Sequence, residues 1–464
     1  MVASIQNQFH IWYTWLRDLW SKGNELTRRH EQQIFWISGL LYKIALDVMY
    51  VWGVSPIYSY AGLTYNPSSV RYILSTVFYV LLFAYLPKKE YSAPYFLLHL
   101  QFVYILAPML TLYALTDYSK ANSTLYISFV FLCAMLQIYI VRRPSNGRIV
   151  AITGIQNYVS VALGILALCT VLIPVLCNGF MFFEYFDVHN INFVYQIRDN
   201  ATYPPGYGYI AGWMAKAIIP FALLVFLEHK RYLFAGLAAG IQILLYMETG
   251  HKLYLFILAP ILFVYLCSKT GHLLKLMYVG LVVLCFSATL FYRLDMQGSQ
   301  LGILLMMMVG VRALFVPADN KFLFYECFSQ YPKILFSDGQ VGKLFGLTNL
   351  YNASNGQIAF AFDMGEFSSN SCTGYWGEAY SQLGFLGIFL MAILFAFIIR
   401  GLAPYSKKEQ YSIITGLFSV YVIISSDNAL FTLLLSGGML LAYLLIFIYF
   451  GEARKGVSHG VQRL

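Results

Sequence analysis

The chain has 464 residues, 59% of them hydrophobic and 11% charged, with a mean hydropathy of +0.65. Soluble domains carry about 25% charged residues, so a water-soluble globular protein is excluded and an all-α polytopic membrane protein is expected. The net charge of +9 then reads as lysines and arginines that hold loops on the cytoplasmic side, not as a nucleic-acid surface.

Residues 1–34 are polar, with Arg17, Lys22, Arg28 and Arg29, and place Phe9, Trp12, Leu16 and Trp20 at helical spacing. This predicts a cytoplasmic amphipathic helix on the inner membrane surface and no cleavable signal peptide. About twelve spanning helices follow, near 35–57, 68–86, 93–116, 124–141, 156–179, 207–228, 232–247, 253–268, 273–292, 376–400, 410–426 and 429–450. The alternating strands of a barrel are not seen. Loops with Lys88-Lys89, Arg142-Arg143, Lys230-Arg231, Lys269 with Lys275, Arg400 with Lys407-Lys408, and Arg454-Lys455 alternate with loops rich in Asn, Asp, Tyr and Gly. The positive-inside rule puts both termini, including the tail 451–464, in the cytoplasm.

The division is therefore 1–34, nine helices over 35–292 with an outer loop 179–206, a large outer loop 293–375, and three helices over 376–450. The segment "LGILLMMMVGVRALFVPADNKFLFYECF" opens that large loop. Its apolar run before Arg312 is about eleven residues, too short to cross, and a mid-bilayer arginine costs at least ~2.5 kcal/mol. It is expected to lie along the outer face, in a loop holding helices of its own. The two halves show no repeat of the transporter kind.

Ionisable groups near spans come first because membranes make them expensive. Lys43 and Asp47 lie four apart on one face, the spacing of a local ion pair. Lys216 either snorkels outward or points into a cavity. "METGHKLYLF" puts Glu248, His251 and Lys252 in an outer turn that opens a helix, an arrangement suited to anions or simply a solvated turn. Arg293 and Asp295 close the ninth helix, followed by Arg312, Tyr325 and Glu326. In "NSCTGYWGEAYSQLGFLGI", Asn370, Tyr375 and Glu378 stand at the start of the tenth helix, with Gly374, Gly377, Gly384 and Gly387 allowing close approach. Glu378 equally suits a helix-dipole carboxylate, and Asp427-Asn428 suit caps. The seven cysteines form no metal pattern, and a Cys327–Cys372 disulfide has no spacing signal behind it. No HExxH, CxxC, GxSxG or Walker loop is present. Cations at the outer face suit a phosphate or diphosphate, and without a nucleotide site a lipid-linked donor must carry the energy.

Four stretches carry a family resemblance: "LLYMETGHKLYLFIL", "VGVRALFVPADNKFLFYECFSQYP", "NSCTGYWGEAYSQLGFLGI" and "SSDNALFTLLLSGG". Together they resemble the Wzy-type oligosaccharide repeat-unit polymerases, the O-antigen polymerases of bacterial inner membranes. His251-Lys252 stands where that family often has Ser-Arg. The resemblance implies a multi-pass inner-membrane glycosyltransferase of the C-type helical fold, with no metal or other cofactor and its active site facing the periplasm. Its substrates would be undecaprenyl-diphosphate-linked oligosaccharides. Its surroundings would be membrane lipids, with a chain-length regulator and a flippase as candidate partners. On this reading Arg312, Arg198, His251, Lys252, Arg293 and Lys216 bind diphosphate, and Glu378 or Glu326 is the base. Tyr203, Tyr207, Tyr325, Asn370, Tyr375 and Trp376 contact glycan. An O-antigen ligase shares the donor and the cation logic. A flippase or transporter is the rival of another class.

Overall fold

The computed structural model describes residues 33–89, 91–144, 156–181, 197, 201–294, 301–339, 342, 344–405 and 408–460. The predicted surface helix 1–34 lies outside them except for its last two residues, as do Arg198, Asp199 and Asp295.

Helices form over Gln33–Ala61 (α1), Ser69–Tyr85 (α2), Ala93–Leu115 (α3), Ser123–Arg142 (α4), Gln156–Asn178 (α5), Tyr207–Glu228 (α6), Tyr232–Thr249 (α7), Lys252–Thr270 (α8) and Leu273–Leu294 (α9). Then come Leu301–Gln330 (α10), Asn355–Met364 (α11), Tyr375–Arg400 (α12), Lys408–Ile424 (α13), Leu430–Leu434 (α14) and Met439–Gly460 (α15). The protein is a polytopic helical membrane protein. Ten helices among the described residues are long and apolar enough to cross a membrane. These include α10, whereas α2 and α13 are shorter apolar helices.

The polar turns sort to two ends of the bundle. At one end Arg400 donates to Pro144 O (2.7 Å), Arg142 lies over the Tyr85 ring, Lys88 lies over Trp36, and Tyr91 packs on Tyr411. This is the basic end. At the other, loop-rich end Tyr50 donates to Thr64 O (2.8 Å), and the Asn66 amide to Leu115 O (2.8 Å).

Prolines inside apolar runs shape four of the helices. Pro56, Pro108, Pro220 and Pro317 each lie two residues after a π-helical stretch: Tyr50–Val54, Phe102–Leu106, Met214–Ile218 and Met306–Phe315. Proline has no N–H and its ring presses on the carbonyl four residues back. The chain widens before it, so that Ser55 bonds to Tyr50 O, Ala107 to Phe102 O, Ile219 to Met214 O and Val316 to Val311 O. The helix continues with a bend instead of breaking. Lys216 O is the carbonyl that Pro220 leaves without its α-helical partner, and the Tyr421 hydroxyl donates to it (3.1 Å).

Two segments differ from the sequence expectation. First, the run before Arg312 is not a short helix: α10 continues for 30 residues, about 45 Å. Length alone would let it cross, yet both its ends lie at the loop-rich end. It follows the end of α9, where Arg293 lies over the Trp52 ring, and closes where Gln330 donates to Lys120 O (3.2 Å). Between, Met306 and Gly310 pack on α1 at Met49, Gly53 and Val54, and Phe322 stacks on Tyr118 (4.2 Å). Second, α12 is not one straight span. The Tyr375 and Phe395 rings stand 5.0 Å apart, although a straight helix would hold positions twenty apart at about 30 Å. The chain reverses at Gly384, whose φ of 64° and ψ of −143° suit glycine alone. The first arm, Tyr375 to Leu383, packs back against the second so closely that a Cβ on Gly387 would meet Ala379 O at 2.1 Å. Its start lies well inside the bundle, where the Tyr375 hydroxyl accepts from Gln137 (3.1 Å) and from Gln101. Irregular backbone at such a place is sustained because protein surrounds it.

Gly384→Ala and Gly387→Ala are each expected to destabilise the protein by about 2 kcal/mol or more. Gly240→Ala, inside α7 with nothing within 4 Å of the new methyl, is expected to be neutral or to stabilise by up to about 1 kcal/mol. Thermal unfolding of the purified variants in detergent checks both.

Candidate functional site

The re-entrant arm meets α10 and the Ser425–Asn428 turn at one buried cation. Lys321 is 0% exposed, and its ammonium donates to Pro317 O (2.7 Å) and Ser426 O (2.8 Å). The second bond satisfies a carbonyl just beyond the end of α13, a place where cations are favoured. Asp427 lies close enough to act on Lys321 electrostatically. Burial pushes the Asp427 carboxyl up to about 6, while Lys321 opposes the rise. The arm fits here because residue 374 is glycine: a Cβ would meet Ser425 O at 2.2 Å. Gly377 likewise lets the arm lie on the α10 backbone at Lys321. Asn320 ties the incoming strand, donating to Cys372 O (2.7 Å).

One turn above, Glu378 is buried in a polar network. Its Oε1 accepts from Gln382 Nε2 at 3.4 Å, and the same nitrogen donates to Asp338 Oδ1 at 3.2 Å. Asp338 Oδ2 accepts from the Asn355 amide (3.1 Å) at the start of α11. The chain from Ile334 to Asp338 is laid over the end of the arm as a strap. Ile334 N–H donates to Ser381 O (3.0 Å), Leu335 N–H to Gln382 O (3.2 Å) and Phe336 N–H to Gln382 Oε1 (2.5 Å). Holding this path puts Leu335 and Phe336 in the left-handed region, at φ 57° and 61°. Glu378 Oε2, Thr373 Oγ1 and Trp376 Nε1 are buried without a hydrogen-bond partner. Such groups cost about 1–3 kcal/mol each, and three within six residues mark the arm's first turns as a place for water or ligand.

The predicted diphosphate cations are spread over the loop-rich end. Arg312 is exposed on α10, within electrostatic reach of the Tyr60 hydroxyl. It continues one face on which Leu301, Leu304 and Met308 are exposed. Arg293 is exposed beside Trp52. His251 and Lys252 are exposed at the α7–α8 turn, with the His251 ring on Tyr254 (5.3 Å). Lys216 is half-buried in α6. Arg198 lies outside the described residues. His251 and Lys252 share their turn with Glu248, which is buried and accepts from the Met181 amide (3.3 Å). Tyr203 donates to Glu248 O (3.0 Å) and stacks on Tyr207 (4.8 Å).

Several of the predicted glycan contacts are buried: Tyr207, Tyr325, Tyr375 and Trp376. Tyr207 donates to Thr170 O (2.8 Å) and Tyr325 to Asn122 O (3.0 Å) while its ring stacks on Tyr126. Tyr375 and Trp376 are both fully buried and packed on one another, so protein covers their ring faces. Asn370 is exposed and accepts from the Ser354 hydroxyl (2.8 Å). Tyr203 keeps partial exposure. Glu326 is buried and accepts from the Lys120 amide (3.0 Å), a contact that fixes the loop before α4. The predicted Lys43–Asp47 pair forms at 2.5 Å, with Tyr72 and Thr111 completing the carboxylate, and ties α1 to α2 and α3. Cys327 and Cys372 are free thiols. Among the described residues no three His, Cys, Asp or Glu side chains are grouped to hold a metal ion.

Lys321, Gln382 and Asp338 were not singled out from sequence. The signal for Lys321 is present: a lone cation four residues after a proline, at the start of the aromatic run Phe322-Leu323-Phe324-Tyr325. Gln382 and Asp338 carried none, because their role arises only when the arm folds back under the strap. No protein-family model, curated protein or solved structure matches this chain.

Lys321→Met is expected to lower stability by about 3 kcal/mol at pH 7, because it strips a buried charge partner; burial brings the Lys321 ammonium down to about 8, which still leaves it charged there. The sign of the pH dependence follows from Asp427. Its folded pKa is raised above the free value, so the wild type loses this contribution as pH rises from about 4 to 6 and has lost most of it by pH 7. Without Lys321 the folded value moves higher still, so the variant should melt at a higher temperature at pH 5 than at pH 7. Asp427→Asn in the same background should restore part of the loss at pH 7. Equal melting temperatures for Lys321→Met at the two pH values would refute the coupling.

Proposed function

We propose that the chain polymerises undecaprenyl-diphosphate-linked oligosaccharide repeat units at the periplasmic face of a bacterial inner membrane. A growing glycan is transferred from its lipid diphosphate to the non-reducing end of a new lipid-linked unit, and undecaprenyl diphosphate is released. The observation that carries this reading is the exposed face of α10. Leu301, Leu304 and Met308 form an apolar stripe that ends in the guanidinium of Arg312, at the end of the bundle where the polar loops gather. An isoprenoid diphosphate has the same order of chemistry, an apolar tail followed by a dianionic head. The four sequence stretches that resemble repeat-unit polymerases support the same choice.

Orientation follows from the charges. The basic turns share one end, and the positive-inside rule assigns that end to the cytoplasm. With both ends of α10 at the opposite end, twelve passes separate the two cytoplasmic termini, and α10 lies across the periplasmic end. Catalysis then needs cations where charge develops on the departing diphosphate, and a base for the acceptor hydroxyl. Arg312 and Arg293 serve the first need and Glu378 the second.

A second reading has one observation in its favour. The turn after α13, which leads into the two pieces α14 and α15, and a re-entrant arm meet at Lys321, and discontinuous helices of this kind also build the binding sites of transporters. The two readings part in one experiment. Deleting the gene in its host and resolving the surface glycan on a gel should leave single repeats capped on the lipid core if the protein is a polymerase. Loss of even the single repeat would instead favour a ligase or a flippase.

Arg312→Ala should keep wild-type protein levels in the membrane while the glycan ladder disappears, read by immunoblot and gel together. A wild-type ladder would remove Arg312 from the mechanism.

A further inference from the structure

We propose that Gln382 is a positioning residue that presents one oxygen of Glu378 to the acceptor hydroxyl, with Asp338 and the strap holding Gln382 in turn. The inference rests on the polymerase reading and extends it to residues that sequence reasoning passed over.

The orientation of the Gln382 amide is dictated by its surroundings. Its Oε1 accepts the Phe336 N–H at 2.5 Å, so its Nε2 must face the two carboxylates. That nitrogen lies 3.2 Å from Asp338 Oδ1 and 3.4 Å from Glu378 Oε1. Asp338 is fixed from its other side by the Asn355 amide. Gln382 is 2% exposed, so water does not compete for these bonds. Glu378 and Gln382 are four residues apart on the arm, the spacing at which side chains meet on a helix. Turning the Gln382 amide over would set its oxygen against two carboxylates and leave Phe336 N–H facing a donor.

The consequence is an asymmetric carboxylate. Oε1 of Glu378 is occupied, and Oε2 is buried with no partner in the protein. In the reaction, the acceptor hydroxyl oxygen forms a bond to the anomeric carbon of the donor glycan. The bond from that carbon to the diphosphate oxygen breaks, and its electron pair leaves with the diphosphate. The hydroxyl proton passes to Glu378 Oε2. Gln382 touches neither sugar nor diphosphate; it fixes which oxygen is free. The strap covers this end of the arm through its bonds to Ser381 O and Gln382 O, and its backbone is partly left-handed.

The test uses purified full-length protein in liposomes with undecaprenyl-diphosphate-linked repeat units from the host strain, and scores chain growth. Gln382→Ala is expected to lower kcat about 10- to 100-fold with the acceptor KM within about threefold, the scale of a misplaced general base. Gln382→Met, which keeps the length of the side chain and loses both donors, should give the same split and guards against a cavity defect in the alanine variant. The double variant Glu378→Gln/Gln382→Ala should be no slower than Glu378→Gln alone, because one residue acts through the other. A Gln382→Ala kcat within twofold of wild type, a rise confined to KM, or a double variant slowed by the product of the two single effects would each overturn the inference and leave the polymerase reading standing. Wild-type protein that extends no lipid-linked unit would overturn that reading and this inference with it.

Discussion

The fully buried ammonium of Lys321 is the contact on which the loop-rich end depends. It joins α10 to the turn after α13 through two backbone carbonyls, and the re-entrant arm is seated against both. A buried cation is held only where acceptors surround it, so its presence requires that the carbonyls of Pro317 and Ser426 converge. That convergence in turn fixes where Gly374 and Gly377 allow the arm to enter. Three segments remote in sequence are brought into one register, and the network of Glu378, Gln382 and Asp338 is stacked on the result.

Much of the bundle was legible in the sequence. Apolar runs of the right length, separated by alternately basic and polar turns, gave helices close to the positions observed, and the turns do gather at two ends. The Lys43–Asp47 pair was readable from its spacing. The rest was hidden for physical reasons. "YWGEAYSQLGFLGI" has the composition of one helix, and nothing in it announces that Gly384 reverses the chain. A glycine in an apolar run marks close packing far more often than a hairpin. The length of α10 is not legible because the apolar run ends at Arg312, after about eleven residues. In fact the π-helical stretch Met306–Phe315 absorbs the proline, and the arginine sits on an exposed face.

The candidate site was legible in part. Glu378 and Arg312 stand out by residue type and neighbours; the structure buries Glu378 in the first arm of α12 and leaves Arg312 exposed on α10. The aromatic residues misled, because tyrosine and tryptophan serve burial as readily as sugar binding. Tyr375 and Trp376 anchor the arm by packing inside the bundle. The Tyr207 and Tyr325 hydroxyls satisfy backbone carbonyls. Burial of an aromatic ring depends on partners that the fold brings near, such as Tyr126 from another helix or Phe395 from across the Gly384 reversal, and one-dimensional spacing does not supply them.

The strap has a consequence for timing. Two successive left-handed residues, Leu335 and Phe336, raise the energy of its closed form by about 1 kcal/mol or more each relative to relaxed backbone. Strain held in a closed form is returned on opening, so each such increment enlarges the open population roughly five-fold. The strap is thus pre-loaded toward local release. Its excursions belong to the low-energy end of the protein's opening spectrum, while the glycine-packed arm beneath stays in place.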